Sequence, residues 1–282
     1  MIAVVFSGSR FADWKLAEDD QIISNFRTVG LNPFFYDEKS IGTLLNKNNI
    51  LINFAERIKR IYFYGAGAFS EQHKKVIKNA FSKFFRHGKV IVEHDINAVA
   101  IATCDDAPAI VAILSSGSNA AYFNGKKIKE NNYGLGFILA DEGASSWLGR
   151  RLLKNYLNGT LPKTIEEKFT QRYHLDHKTI LDKVYRQPHP TVFLSSFVDF
   201  LLENKSEEYV KNLVLEGFDD FFRKYIIPLT RKYPNIPINF AGMVADGFKD
   251  YLQMTAEKYG LSINKVILDP ILNVLNYYTN KN

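Results

Sequence analysis

Three observations predict an α/β fold of two similar domains. The same strand, turn and strand unit occurs twice, its Ser-Gly-Ser triplet starting at residues 7 and 116. Short apolar β-branched runs alternate with stretches of helical period after each copy. The chain has 282 residues, enough for two hydrophobic cores.

The first copy opens the chain. Ile2–Phe6 is apolar and β-branched and reads as a strand, Ser7-Gly8-Ser9 breaks it, and Phe11–Leu16 resumes it. Phe34–Tyr36 and Ile61–Tyr64 read as further strands. Lys74–Phe85 has apolar residues at Val76, Ile77, Ala80, Phe81, Phe84 and Phe85, the spacing of a helix face. Val90–Val92 is a short strand running into Glu93-His94-Asp95, and Ile96–Thr103 follows as a helix.

The second copy starts after Asp105-Asp106. Ala109–Leu114 is a strand, Ser116-Gly117-Ser118 the break, and Ala120–Phe123 the return strand, closed by the hairpin pair Asn124-Gly125. Phe137–Leu139 reads as a short strand before a helix near Ser145. From about residue 144 to 232 the pattern is helical, with a break at Pro188 and Pro190. Ile236–Phe240 is a strand, Ala241-Gly242 a turn and Val244–Tyr259 a helix. Ile271–Tyr278 is apolar at helical spacing and is expected to pack back on the first domain. The expected boundaries are 1–107 for the first domain, completed by a helix within 269–282, and 108–268 for the second, with its helical insert.

Composition narrows the function classes. Hydrophobic residues make up 46% and charged residues 23%, the balance of a globular protein. No apolar run is long enough for a membrane span, and MIAVVFSGSR lacks the basic start of a signal peptide. Cys104 is the single cysteine, which excludes an intrachain disulfide and a thiolate metal cluster. A cytoplasmic protein is expected. The net charge is +6, with basic residues in Arg57–Arg60 and between Lys74 and Lys89. Their spacing reads as solvated helix faces rather than a nucleic-acid surface, and a mild positive potential suits a polyanion such as ATP.

Several residues have the character of a phosphate site. A glycine flanked by hydroxyl residues in a tight turn aims backbone N–H and side-chain O–H groups at one point. Either turn alone is an ordinary hairpin as readily as a nest; the pair, facing each other across an interdomain cleft, would grip a triphosphate. Gly242, between a strand and a helix, permits close approach of another molecule, though an ordinary turn would also use it. Asp95 follows a strand and suits either a general base for phosphoryl transfer or a helix N-cap. Asp141-Glu142-Gly143 could hold a sugar hydroxyl or a metal, or favour a helix N-terminus. Asn32 sits in a Gly-Leu-Asn-Pro turn.

The segments FSGSRFADW (6–14), GLNPFF (30–35), YGAG (64–67), HDINA (94–98), ILSSGSN (113–119), LGFILADEGASSWLG (135–149) and FAGMVADGFKDYL (240–252) span nearly the whole chain. In their order they resemble the N-acetylglucosamine kinase branch of the sugar kinase, heat-shock chaperone and actin superfamily, which includes the BadF-type ATPases. The resemblance implies two ribonuclease H-like domains, as in actin-like ATPases, and a small-molecule sugar partner, with a homodimer allowed. It implies nucleotide contacts from Ser7, Gly8, Ser9, Ser116, Gly117, Ser118, Asn119, Gly242 and Val244. It implies sugar contacts from Asn32, Asp95, Ser116 and Asp141, with Asp95 the general base.

The chain departs from the pattern at Phe6, where the family carries an aspartate that helps organise Mg²⁺ with ATP. Arg10, Phe11 and Ala12 replace Thr-Lys-Thr, Ser115-Ser116-Gly117 replaces Gly-Thr-Gly, and Ala140 and Met243 replace a glycine and a serine. Two readings follow. One is ATP-dependent phosphorylation of N-acetylglucosamine or a related amino sugar. The alternative is a catalytically impaired kinase fold that binds sugar or nucleotide, with Mg·ATP held weakly because an aromatic ring offers no oxygen ligand.

Overall fold

The computed structural model describes residues 1–19, 21–129 and 134–280. They form two compact units. One comprises 1–107, 125–128 and 269–282, the other 108–124 and 129–268.

The first unit is built on strands β1 (Ile2–Ser7), β2 (Phe11–Glu18), β3 (Gln21–Val29), β4 (Arg60–Gly65) and β5 (Lys89–His94). Their order is β3-β2-β1-β4-β5. β1, β2 and β3 are antiparallel neighbours, and β1, β4 and β5 run parallel. Alternation divides β1 and β2 between two faces. Ala3, Val5, Ala12, Trp14 and Leu16 enter one core with Phe63, Ile77 and Phe81. There Trp14 stacks between Phe26 and Phe81, at 5.6 and 5.7 Å. Helix Glu71–Phe84 forms because Ser70 caps it, accepting the His73 N–H, and because Ile77, Ala80 and Phe81 make one buried stripe. Helix Ile271–Thr279 packs in the same unit: Tyr278 stacks on Tyr62 at 3.6 Å and shares a 2.6 Å hydrogen bond with the Tyr64 hydroxyl.

The second sheet holds β6 (Pro108–Leu114), β7 (Ser118–Asn124), β8 (Ile128–Lys129), β9 (Ile238–Ala241) and β10 (Lys265–Ile267). Its order, β8-β7-β6-β9-β10, repeats that of the first sheet with each strand replaced by its counterpart five later. β6 and β7 are antiparallel, and β6, β9 and β10 are parallel. Two sheets of this order, each with helices, are the ribonuclease H-like fold that the family resemblance implies. The helical stretch between β8 and β9 fills the second core with Phe169, Phe197, Phe200, Phe218, Phe221 and Phe222. Its break falls where expected: helix His177–Tyr185 stops and Pro190 opens helix Pro190–Ser195.

Four local expectations are corrected. Residues 34–36 are a turn, in which the Asn32 carbonyl accepts the Phe35 and Tyr36 amides at 2.9 and 3.0 Å. Residues 136–139 form a helical turn, with Ile138 and Leu139 exposed. The helix over 244–259 is two, Met243–Gly247 and Lys249–Lys258, because the backbone leaves the helical region at Phe248, with φ −113° and ψ 32°. The basic run 57–60 is a turn entering β4, not a helix face, and Arg57 pairs with Glu18.

Candidate active site

In an open sheet the carboxyl ends of parallel strands are where backbone groups remain free for a ligand. In the first unit Ser7, Gly65 and His94 are register partners at those ends. The first Ser-Gly-Ser turn, the Gly65–Gly67 turn and Asp95 therefore share one edge. Asn32 joins them, because Gly67, at φ +82°, lies so close to the Asn32 amide that a Cβ would fall 2.3 Å from its Oδ1. Phe34 and Phe69 add two exposed rings, 5.7 Å apart, beside Asn32 and Gly67.

The first turn is held from below. Ser7 is buried, and its Oγ accepts the Leu31 N–H at 2.8 Å. The Gly8 N–H donates to the Phe11 carbonyl at 2.9 Å. Gly30 packs directly under the turn: a Cβ there would lie 2.3 Å from the Gly8 carbonyl oxygen. The Ser9 amide has no partner among the described residues. Ser7 thus serves as a brace, and the outward donor of the triplet is Ser9.

Asp95 is the first residue of helix Asp95–Thr103, whose N-terminus receives no side-chain cap. Its Oδ1 is buried without a hydrogen bond, 3.3 Å from His94 Nε2 in a geometry that makes an ion-pair contact only. Asp95 Oδ1 thus accepts no capping amide and the capping alternative for Asp95 falls away, while the His94 ring lies beside the carboxylate.

In the second unit β6, β9 and β10 end in register at Ile113, Ala241 and Ile267. The amides of Ser116 and Gly117 are without partners among the described residues. The carbonyls of Ser115 and Ser116 accept the amides of Ser145 and Ser146, at 2.8 and 3.3 Å, which seats the turn on the start of helix Ser145–Leu157. The Ser118 N–H donates to Asp141 Oδ1 at 3.0 Å, and its own Oγ is buried and unpartnered. Asn119 is buried, its Oδ1 accepting the Ala120 N–H at 2.9 Å. Gly242 has φ +122° and ψ 158°, a conformation open essentially to glycine alone, and touches the Leu114 carbonyl. Val244 is wholly buried, so its side chain serves the core.

Asp141 and Glu142 are both buried. Burial pushes the Glu142 carboxyl upward, but the hydrogen bonds from Lys224 Nζ, at 2.6 Å, and the Tyr225 hydroxyl outweigh it and hold the group below the usual carboxylate range. Spacing gave no sign of these partners or of Gly30.

The position of Phe6 tests the fit of a metal. Across the sheet, Arg27, Asp13, Phe6, Tyr64 and Glu93 are successive register partners. The carboxylate facing Phe6 is Asp13, and Arg27 Nε already holds it at 2.8 Å. Among the described residues no three His, Cys, Asp or Glu side chains are grouped to hold a metal ion. These residues do not fit a Mg²⁺ ion held at the first turn. No helix among the described residues is long and apolar enough to cross a membrane.

No protein-family model matches the chain, and no curated protein does. Among solved structures, a protein of Porphyromonas gingivalis provisionally named an N-acetylglucosamine kinase is 34% identical, over 99% of each chain, with a TM-score of 0.92. A protein of Chromobacterium violaceum with the same provisional name is 13% identical over 98% of this chain and 99% of its own, with a TM-score of 0.70. The ROK hexokinase of Thermus thermophilus is 12% identical over the whole of both chains, with a TM-score of 0.55; these two likenesses concern the fold alone. With two sheets of one order, matching turns at their strand ends, and this full-length relative, the chain belongs to the N-acetylglucosamine kinase family of the actin-like ATPase superfamily.

Proposed function

We propose that this protein is an ATP-dependent sugar kinase acting on N-acetylglucosamine or a related amino sugar. The observation that carries the reading is the pair of Ser-Gly-Ser turns, at equivalent strand ends of two like sheets, with unpartnered amides at Ser9, Ser116 and Gly117. Such amides bind phosphate oxygens without any base or metal from the protein.

ATP, when bound, supplies the phosphoryl group. The amides of Ser9, Ser116 and Gly117 and the Ser118 hydroxyl hold its phosphates, with Ser7, Gly8 and Asn119 shaping the two turns. Gly242 lets the nucleoside approach the backbone, and Val244 fixes the helix beside it. Asn32, Ser116 and Asp141 orient the sugar, and Phe34 and Phe69 offer apolar faces to its C–H groups. Asp95 accepts the proton of the attacking hydroxyl. A base so placed contributes about 10²–10⁴-fold. Phe6 leaves the first turn without a metal ligand, so any Mg²⁺ enters on the nucleotide, and no step here depends on a protein-held ion.

The impaired alternative rests on Phe6, whereas the Asp95 oxygen buried without a hydrogen bond and the relative provisionally named an N-acetylglucosamine kinase favour catalysis. The test is an ADP-release assay across N-acetylglucosamine, N-acetylmannosamine, glucosamine and glucose. Sugar-dependent ADP release, strongest with an N-acetylated sugar, is expected. Release with none of the sugars would overturn the proposal.

A further inference from the structure

Helix Glu208–Phe221 runs into a π turn, Phe222–Ile226, before helix Ile227–Lys232. The cause is in the sequence. Pro228 has no N–H and its ring crowds the carbonyl four residues back, which is that of Lys224. The helix therefore widens by one residue at this place, and single π turns within α-helices recur at functional sites. The widened turn presents Lys224 and Tyr225 together to one carboxylate, that of Glu142, 82 residues earlier than Lys224.

Glu142 sits between two residues in the left-handed region, Asp141 at φ +62° and Gly143 at φ +73°. A left-handed aspartate persists only where its surroundings fix it. Gly143 rests on the backbone of Gly217, where a Cβ would lie 3.0 Å from the Gly217 carbonyl oxygen. Asp141 in turn accepts the Ser118 amide, and Gly117 lies so near that a Cβ there would come 3.1 Å from the Asp141 carboxylate oxygens.

We infer that Glu142, clamped by Lys224 and Tyr225 of the Pro228 π turn, is a positioning residue that sets Asp141 and, through it, the second Ser-Gly-Ser turn. Glu142 touches no reacting atom. Its role is to hold the acidic loop in its left-handed course so that the Ser116 and Gly117 amides point outward. The catalytic part of this inference rests on the kinase reading; the structural part does not.

The test uses the full chain as Glu142→Gln, Tyr225→Phe and Lys224→Arg, with kinetics and amide hydrogen exchange measured well below the unfolding temperature. Glu142→Gln is expected to lower kcat/KM for ATP about 10–100-fold, as a turn displaced by roughly 1 Å would. Tyr225→Phe is expected to do so to a smaller degree, and Lys224→Arg to retain wild-type kinetics. Exchange over residues 115–119 should quicken in Glu142→Gln and Tyr225→Phe while that of β6 stays unchanged. If both variants lose thermal stability but keep wild-type kcat/KM and wild-type exchange over 115–119, Glu142 is a core tie only and the inference is overturned. Should the wild type phosphorylate no sugar, the kinase reading fails, and the exchange measurement still decides whether Glu142 positions the turn.

Discussion

Substituting Gly30 by alanine isolates the first turn, because this residue is buried directly beneath it. The added methyl carbon would stand 2.3 Å from the Gly8 carbonyl oxygen and 2.7 Å from that of Ser9. Ordinary C···O contacts begin near 3.3 Å, so the turn must retreat by about 1 Å. Both clashes are with backbone, and no side chain can swing aside to relieve them. Overpacking of this kind costs about 1–3 kcal/mol, and a 1 Å misplacement of a binding element can cost about 10²-fold in rate. Gly30→Ala should therefore lower the unfolding free energy by that amount and weaken ATP binding by one to two orders of magnitude, while sugar affinity changes less. Chemical denaturation and calorimetric titration with ATP read the two effects separately. Gly42→Ala is the matched control: it lies in helix Glu38–Asn46 with nothing within 4 Å of its Cβ position, and should stabilise the protein by roughly 0.5–1 kcal/mol. A destabilised Gly30→Ala protein with wild-type nucleotide affinity would refute the assignment of the first turn to phosphate binding.

Other substitutions address the remaining parts of the site. Asp95→Asn should reduce kcat by about 10²–10⁴-fold with little change in sugar affinity; undiminished turnover would remove Asp95 from the chemistry. Phe6→Asp sets a second carboxylate opposite Asp13 in the β1–β2 register. Calorimetry with and without Mg²⁺ should then show ATP affinity gaining a metal dependence, against about 0.2–1 kcal/mol lost to the like-charge pair. An unaltered Mg²⁺ response would place the metal elsewhere. Because the Glu142 carboxyl is held below its ordinary 4.5, its contribution is fully present above that pH and is lost as pH falls through the lowered value. The stability difference between wild type and Glu142→Gln, followed by denaturation from pH 7 to pH 3, should shrink only below about pH 4.5; a constant difference would show that the carboxylate's charge is not what stabilises.

How much of this was legible in the sequence varied with how local the cause was. β1, β2, β6 and β7 were readable because each bears a buried face interrupted by a glycine turn. β3 was missed: Gln21–Val29 is an edge strand whose Ile22, Ile23 and Val29 are exposed, so no alternation of buried and polar residues marks it. Residues 34–36 misled in the opposite direction, since three adjacent aromatics look like a strand while Asn32, whose Oδ1 accepts the Phe34 amide at 2.9 Å, forms the turn. The candidate site residues came from motif resemblance, which carries no division of labour among them. Whether a serine such as Ser7 faces outward or braces the turn depends on the Leu31 amide, 24 residues away. The Glu142 clamp depends on a helix far down the chain, with Pro228 its one local sign.

The packing of helix Ile271–Thr279 on Tyr62 and Tyr64 has a consequence for synthesis. Strands β1 to β5 precede the second sheet in the chain, yet the Tyr62 and Tyr64 rings gain the Tyr278 partner only once residues 271–279 have been made. Every strand of the second sheet has been translated by then. The first unit is thus completed only after the second sheet has been made, a departure from the simple amino-to-carboxyl order of domain completion.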